Sequence, residues 1–233
     1  MADYYYYDRN SSGGFMSSLP TVTKNLIIIN VLVFVMTLLR KQFMYESFAL
    51  FYPASPFFHW WQYLTHMFMH GGFWHIFFNM YTLLIFGCVV ERIIGSRKFL
   101  IFYFICGLGA AALHTGVEYL QATSYMNALA DGSLQAADAY ARLKMTPTVG
   151  ASGAIYGIIL AYAMLFPQSR LTLLFPPVSL SAKWMVIIFA GIELFTGITG
   201  TADGVAHFAH LGGMLFGWML IRYWRKKGTL FDR

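Results

Sequence analysis

The chain has 233 residues, of which 58% are hydrophobic and only 11% are charged. Because soluble globular domains carry roughly 25% charged residues, this composition excludes a disordered chain, a nucleic-acid-binding domain and most soluble enzymes. The excess of 16 Lys and Arg over 10 Asp and Glu therefore favours a membrane protein with basic loops.

Six apolar stretches are long enough, or nearly so, for a helix to cross about 30 Å of hydrocarbon, which takes roughly 20 residues. We expect spans at 22–39, 73–94, 99–117, 150–166, 182–199 and 205–223. The sequence therefore predicts an all-α membrane protein, a bundle of six transmembrane helices. Residues 20–225 would form one domain, between a flexible cytoplasmic tail over 1–19 and a short cytoplasmic tail over 226–233.

The distribution of basic residues predicts the orientation of this bundle. With the N-terminus inside, 12 of the 16 Lys and Arg residues lie on the cytoplasmic side, so we expect N-in and C-in. Arg40 and Lys41 lie on the other side and oppose the trend. The segment containing Tyr4 to Tyr7 and Ser11–Gly14 lacks the apolar stretch of a cleavable signal peptide. With no transit peptide either, we expect a bacterial plasma membrane.

Two of the expected loops are more than simple connections. The first outer loop, 40–72, contains Trp60 and Trp61, and such aromatic residues are typical of the membrane–water boundary. The third loop, 118–149, has Ala, Leu and a few charges at helical spacing. It predicts a short amphipathic helix within Gln121–Leu143.

Polar groups are costly in hydrocarbon, so those inside the spans are functional candidates. The second span carries His75 and Asn79, the fourth begins near Ser152, and the sixth carries His210. At 1.5 Å per residue, both histidines and the asparagine lie about 5–10 Å below the outer face. Ser152 is 15 residues, or about 22 Å, from Pro167 at the inner end. This is roughly 8 Å short of a full crossing, so the chain before Ser152 must dip into the membrane. We therefore expect Ser152, His210, His75 and Asn79 to share one site.

These residue types fit nucleophilic catalysis. A serine hydroxyl is a weak nucleophile until a base takes its proton, and the imidazole of His210 suits that task. His75 and Asn79 are four residues apart on one helix face. Together with the Ser152 backbone N–H, they would hold the negative oxygen of a tetrahedral intermediate.

Pairs of glycines would let the fourth and sixth spans approach closely. Gly153 and Gly157 are four apart on one span, and Gly213 and Gly217 are four apart on the other. Small residues at this spacing allow helix backbones to touch in lipid. A short hydrogen bond between Ser152 and His210 requires such an approach.

Other polar residues have more ordinary interpretations. Glu193 in the fifth span would be paired or protonated within the bundle, and His207 would be a boundary residue. His66 and His70 would pack in the first loop. Asp203 precedes His210 by seven residues, about 10 Å along a helix, which is too far for a catalytic acid. The sequence therefore predicts a Ser–His dyad without a carboxylate.

At this point the chain resembles the rhomboid family of intramembrane serine proteases, over about residues 55–220. The resemblance rests on four elements in the family's order: Trp61-Gln62 followed by His70, His75 and Asn79; Glu91-Arg92-Ile93-Ile94-Gly95; Gly150-Ala151-Ser152-Gly153 with Tyr156; and Ala209-His210 through Gly217. It departs from the family at Gln62, where an arginine is usual, and this puts the loop's Arg-centred hydrogen bonds in question.

The resemblance implies a six-helix core that cleaves transmembrane segments of membrane proteins. Ser152 would be the nucleophile and His210 the base and then the acid, while His75 and Asn79 would complete the oxyanion site. Tyr156 would pack against His210, and Gly150, Gly153 and Gly213 would support the site. Neither a metal nor a cofactor is implied. Substrates would pass the fifth span and the loop Gly200–Gly204, whose glycines permit movement.

Two other functions stay open from the sequence. The first is a catalytically silent rhomboid-like protein that binds membrane helices. The second is a transporter or metal carrier that uses His66, His70, His75 and His210, although such sites usually also contain carboxylates or thiolates. The expected partners are transmembrane protein substrates and the lipid bilayer, without nucleic acid, and the oligomeric state is left open.

Overall fold

A computed structural model describes residues 17–172, 177–199 and 204–232. The chain is an all-α membrane protein, with a single small hairpin among the described residues. The helices are α1 Thr21–Leu39, α2 Lys41–Phe48, α3 Gln62–Thr65, α4 Phe73–Thr82, α5 Cys88–Ile94, α6 Ser96–Ala130, α7 Leu134–Met145, α8 Ser152–Leu165, α9 Ala182–Thr199 and α10 Gly204–Lys226. A 3₁₀ turn, His66–Phe68, follows α3, and a π-helical segment, Leu83–Gly87, joins α4 to α5.

Four stretches of the described chain are long and apolar enough to cross a membrane. They are Thr21–Leu39, Phe73–Ile94, Ser96–Ala130 and Ala182–Thr199. The fourth predicted span is the shorter helix α8, with 14 residues. The sixth is α10, with 23 residues and basic side chains in its last turn. The expectation of an all-α membrane protein is confirmed, while six crossings and the N-in orientation stay predictions.

Two regions differ from the sequence expectation. Helix α6 has 35 residues, about 52 Å at 1.5 Å per residue, and so continues well beyond the predicted 99–117. The expected short helix within 121–143 is therefore divided between the end of α6 and helix α7. After α8, strands β1 (Arg170–Thr172) and β2 (Ser179–Ser181) pair antiparallel, a hairpin that the sequence did not predict because three-residue strands show no periodicity.

The first loop is fastened to the segment that precedes Ser152. Leu50 and Thr148 exchange two backbone hydrogen bonds, with N···O distances of 2.9 and 2.7 Å. Farther along, the Gly150 N–H donates to the His66 carbonyl at 3.0 Å. Three backbone bonds thus fix the turn into α8 against the 40–72 loop.

Gln62 organises the inside of that loop. Its side chain is fully buried, and its Oε1 accepts hydrogen bonds from the backbone N–H groups of Phe51 (3.3 Å) and His59 (3.1 Å). Its Nε2 donates to the carbonyls of Phe57 (2.8 Å) and Glu46 (3.2 Å). The glutamine therefore supplies the hydrogen bonds that hold the inside of this loop.

Replacing Gln62 by alanine should destabilise the protein strongly. The change leaves four backbone groups of the loop without this partner, of which the Phe51 N–H is buried and the other three are partly buried. An unpaired group costs about 1–3 kcal/mol when it is buried. Since 1 kcal/mol corresponds to roughly 2–4 °C in a chain of this size, we expect Tm in detergent to fall by about 5 °C or more. Gln42→Ala is the matched control, because the side chain of the exposed Gln42 bonds only Glu46 among the described residues. Equal Tm values for the two variants would contradict this role.

Glu91 holds the start of α1. Its carboxylate accepts from the backbone N–H groups of Val22 (3.0 Å) and Thr23 (2.7 Å), and from the Ser96 hydroxyl (2.6 Å). A buried carboxylate at a helix N-terminus accepts hydrogen bonds from otherwise unpaired N–H groups and interacts favourably with the positive end of the helix dipole.

The sharp turn between α5 and α6 is made by Gly95, which has φ of +82°.

Helices α8 and α10 touch through their backbones. A Cβ atom added to Gly213 would lie only 1.8 Å from the Gly153 carbonyl oxygen, and one added to Gly157 would lie 2.9 Å from the Gly213 oxygen. The neighbouring face of α10 is also close to α6, since a Cβ on Gly212 would lie 2.9 Å from the Ala110 Cα. The close approach expected from the glycine spacing is therefore present.

Candidate active site

Ser152 is the first residue of α8 and follows a turn that only glycine adopts easily. Gly150 has φ of +135°, in the region that side chains rarely occupy. A Cβ atom there would lie 2.9 Å from His75 Nε2 and 3.5 Å from Ser152 Oγ. The absence of a side chain at Gly150 therefore keeps open a space that both His75 and Ser152 border.

The hydroxyl of Ser152 contacts the imidazole of His210. The distance from Ser152 Oγ to His210 Nε2 is 2.9 Å, within hydrogen-bond range. The Tyr156 ring, one turn after Ser152, stacks on the His210 ring with centroids 4.1 Å apart and planes 6° from parallel. Residues from two helices in backbone contact thus form the pair that the sequence suggested.

Glu193 of α9 lies on the other side of the same imidazole. Its Oε1 is 3.0 Å from His210 Nδ1, at ion-pair distance, although the N–H does not point straight at this oxygen. Its Oε2 is 2.5 Å from His207 Nδ1, and the Tyr156 hydroxyl donates to Oε1. The expectation that no carboxylate reaches His210 was wrong, because the packing of α9 on α10 brings Glu193 to the imidazole from a distant part of the sequence. The sequence did contain one indication of a role for Glu193, because a carboxylate in an apolar span is costly and usually has a partner.

His75 and Asn79 occupy successive turns of α4. His75 Nδ1 accepts a hydrogen bond from the Gly71 N–H at 3.3 Å, so its proton is on Nε2, which faces the space beside Gly150. Asn79 is buried and its Nδ2 donates to the His75 carbonyl at 2.7 Å. His75 thus borders the site directly, and Asn79 binds the backbone of the helix that carries it. Their oxyanion role stays a prediction.

The histidines of the first loop are buried next to this site. His66 Nδ1 lies 2.9 Å from the Gln62 carbonyl, and burial lowers the pKa of His66 to about 4. Burial likewise lowers the pKa of His70 to about 3, and its ring centroid is 5.0 Å from that of His75. Both rings are therefore neutral at pH 7 and pack the loop.

The four histidines of the metal-carrier alternative do not form one ligand group. Within the described parts of the chain, the group with donor atoms all within 4.8 Å of one another is Glu193, His207 and His210. In that group the donors already contact each other across the carboxylate. The ligand set that the metal-carrier alternative named is therefore not assembled among the described residues.

A small cavity lies behind the Ser–His pair. It has a volume of about 50 Å³ and is lined by Gly150, Ser152, His210 and His66, among others. This is room for one water molecule, which needs about 10–15 Å³ of accessible space. The expected substrate-access loop, Gly200–Asp203, and the N-terminal tyrosines lie outside the described residues.

Comparison with known proteins identifies the family. A model of the Rhomboid domain family matches residues 58–227. The Rhomboid protease AarA of Providencia stuartii is 29% identical over 165 residues, which are 68% of this chain and 53% of that protein. The mitochondrial Presenilin-associated rhomboid-like protein of Bos taurus is 30% identical over 167 residues, 69% of this chain and 37% of that protein.

A third relative is the mitochondrial Rhomboid protein 1 of Saccharomyces cerevisiae, 28% identical over 160 residues, 66% of this chain and 40% of that protein. The matched region thus spans about half or less of the length of each of these three relatives. In this chain it takes in Ser152, His210, Tyr156 and Glu193, the residues that meet at the site. The chain belongs to the rhomboid family.

Proposed function

We propose that this protein is an intramembrane serine endopeptidase that cleaves transmembrane segments of other membrane proteins. The observation that carries the proposal is the 2.9 Å contact between Ser152 Oγ and His210 Nε2 in a chain of the rhomboid family. A catalytically silent helix-binding protein would have no need of this contact. The stacking of Tyr156 on His210 also supports an imidazole held for chemistry.

The reaction follows from the positions of these groups. His210 Nε2 takes the Ser152 proton as Oγ attacks the scissile carbonyl, and the imidazolium then protonates the leaving amine. His75 Nε2–H and the Ser152 backbone N–H face the developing oxyanion, with Asn79 one turn away. The 50 Å³ cavity lined by Ser152 and His210 has room for the water that would hydrolyse the acyl-enzyme.

Substrate access and topology are parts of the same proposal. With the N-terminus inside, Ser152 lies in the outer half of the membrane, so substrates would unwind near the outer boundary. Helix α9 presents exposed apolar residues, including Ile187, Phe195 and Ile198, as expected of a helix that lipid or a substrate helix contacts. We place the protein in a bacterial plasma membrane, although two of the three relatives named above are mitochondrial.

A serine-directed probe tests the proposed activity. We expect a fluorophosphonate to label the full chain in detergent or liposomes, with the adduct found by mass spectrometry on the peptide that contains Ser152. The same preparation should cleave a transmembrane reporter that carries helix-destabilising residues near its outer end. Absence of both labelling and cleavage, in protein that unfolds cooperatively on heating, would overturn the protease and leave the silent helix-binding protein.

A further inference from the structure

The carboxylate of Glu193 is buried among three donors. Only 6% of the residue is exposed, and it lies in an apolar helix where an unpaired charge is costly. The Tyr156 hydroxyl and His210 Nδ1 both face Oε1, and His207 Nδ1 contacts Oε2. Two hydrogen bonds, from Tyr156 and His207, and one ion-pair contact, with His210, are a suitable environment for an ionised carboxylate.

The arrangement fixes the His210 ring from two directions. Tyr156 covers its face with a parallel ring, and the hydroxyl of the same tyrosine holds the carboxylate that lies at the ring's Nδ1 edge. His207, one turn earlier on α10, binds the second oxygen of that carboxylate. Neither the imidazole nor Glu193 can rotate without breaking contacts with the other helices.

A negative charge beside Nδ1 also selects the tautomer of His210. It favours the proton on Nδ1, which leaves the Nε2 lone pair free for the Ser152 hydroxyl proton. Once Nε2 takes that proton, the same carboxylate stabilises the imidazolium. Both effects act on the step in which Ser152 becomes a nucleophile.

We propose that Glu193 is a positioning residue that holds and polarises His210, so that the site works as a Ser152–His210–Glu193 array rather than as a dyad. This inference rests on the proposed protease function. Tyr156 and His207 hold Glu193 in place and thereby act one step farther from the reaction. A carboxylate that merely ties α9 to α8 and α10 would affect stability but not the turnover of folded enzyme.

Isosteric substitution separates these two roles. Glu193→Gln keeps the shape but removes the charge, and its amide N–H₂ can donate to Nδ1 and select the wrong tautomer. The equivalent loss in a soluble triad costs about 10⁴-fold in kcat. Since Tyr156 still orients the ring here, we expect kcat to fall at least about 100-fold, with KM changed less than about 3-fold. Glu193→Asp, which keeps the charge, should recover at least about 10-fold relative to Glu193→Gln.

The matched control is Glu118→Gln. Glu118 is another buried carboxylate, in α6, with its Oε1 3.5 Å from His114 Nε2, and it does not line the cavity at Ser152 and His210. We expect kcat of this variant within about 2-fold of wild type. If Glu193→Gln retains kcat within about 3-fold while Ser152→Ala is inactive, the protease stands and the role of Glu193 is overturned.

A spectroscopic readout decides the inference even without turnover. In ¹⁵N-histidine-labelled full-length protein in micelles, the His210 signals are assigned by their loss in His210→Gln. We expect wild type to have the proton on Nδ1, and Glu193→Gln to move it to Nε2 or to give a mixture. The same His210 tautomer in both proteins would overturn the inference. If wild type shows no Ser152-dependent hydrolysis, the proposed function fails, and this spectrum alone then supports or overturns the role of Glu193.

Discussion

His210→Ala should abolish cleavage of a transmembrane substrate, and Ser152→Ala should do the same. In the proposed mechanism the imidazole of His210 is the base, 2.9 Å from the Ser152 hydroxyl, and no other imidazole in the described chain forms a hydrogen bond with this oxygen. Removing one member of such a unit costs about as much as removing all of it, which in a soluble serine protease is on the order of 10⁶-fold in kcat. We expect kcat/KM to fall at least about 10³-fold in each single variant and no further in the double variant.

His207→Ala is the comparison that identifies the base. His207 is one turn away on α10 and touches Glu193 rather than Ser152, so its loss should reduce kcat/KM by less than about 10-fold. Cleavage is measured on the same reporter, with Tm as the check that each variant is folded. Loss of cleavage in His207→Ala but not in His210→Ala would show that the base on α10 is wrongly assigned.

Gly213→Val should separate α8 from α10 and remove activity together with stability. Even the first carbon of a side chain at Gly213 would lie 1.8 Å from the Gly153 carbonyl oxygen, a backbone atom that cannot move aside alone. Overpacking of this kind costs about 1–3 kcal/mol or more. Because Ser152 and His210 lie next to this contact on the two helices, we expect at least about a 100-fold loss of kcat/KM and a fall in Tm of roughly 5 °C.

Gly191→Ala provides the control for this experiment. Gly191 is in α9, and a Cβ there would meet no atom within 4 Å, so alanine should leave Tm unchanged or slightly higher. Substrate cleavage and thermal unfolding are measured for both variants in the same detergent. Wild-type cleavage by a folded Gly213→Val protein would mean that contact between the two helices does not set the Ser–His distance.

The sequence predicted the spans where a single apolar run coincides with one continuous helical stretch. Helix α9 was expected at 182–199 and is Ala182–Thr199, and the second span was expected at 73–94 and is Phe73–Ile94. Helix α6 was underestimated because its last turns carry polar residues and continue after the apolar run ends at about residue 117. Hydropathy gives the length of the apolar part of a helix, and it says nothing of the part that extends into water.

The site was predictable to the extent that its residues stand out against hydrocarbon. Ser152, His210 and His75 were found because polar groups at one depth in several spans suggest a shared location. The contact of Glu193 with His210 could not be predicted. It depends on the angle at which α9 crosses α10 and on the rotation of each helix about its axis, and both are set by packing. The sequence shows that Glu193 is a carboxylate in an apolar span, but it does not show which side chains surround it.

The backbone contact of Gly153 with Gly213 has a mechanical consequence. Peptide groups at van der Waals distance form a joint that is nearly incompressible, because no flexible side chain lies between them. Lateral pressure in the bilayer can bend or tilt the outward-facing helices. At this contact it cannot bring α8 and α10 closer, because no compressible side chains lie between their backbones. Because Ser152 and His210 lie next to this contact on the two helices, we expect their spacing to depend little on the surrounding lipid.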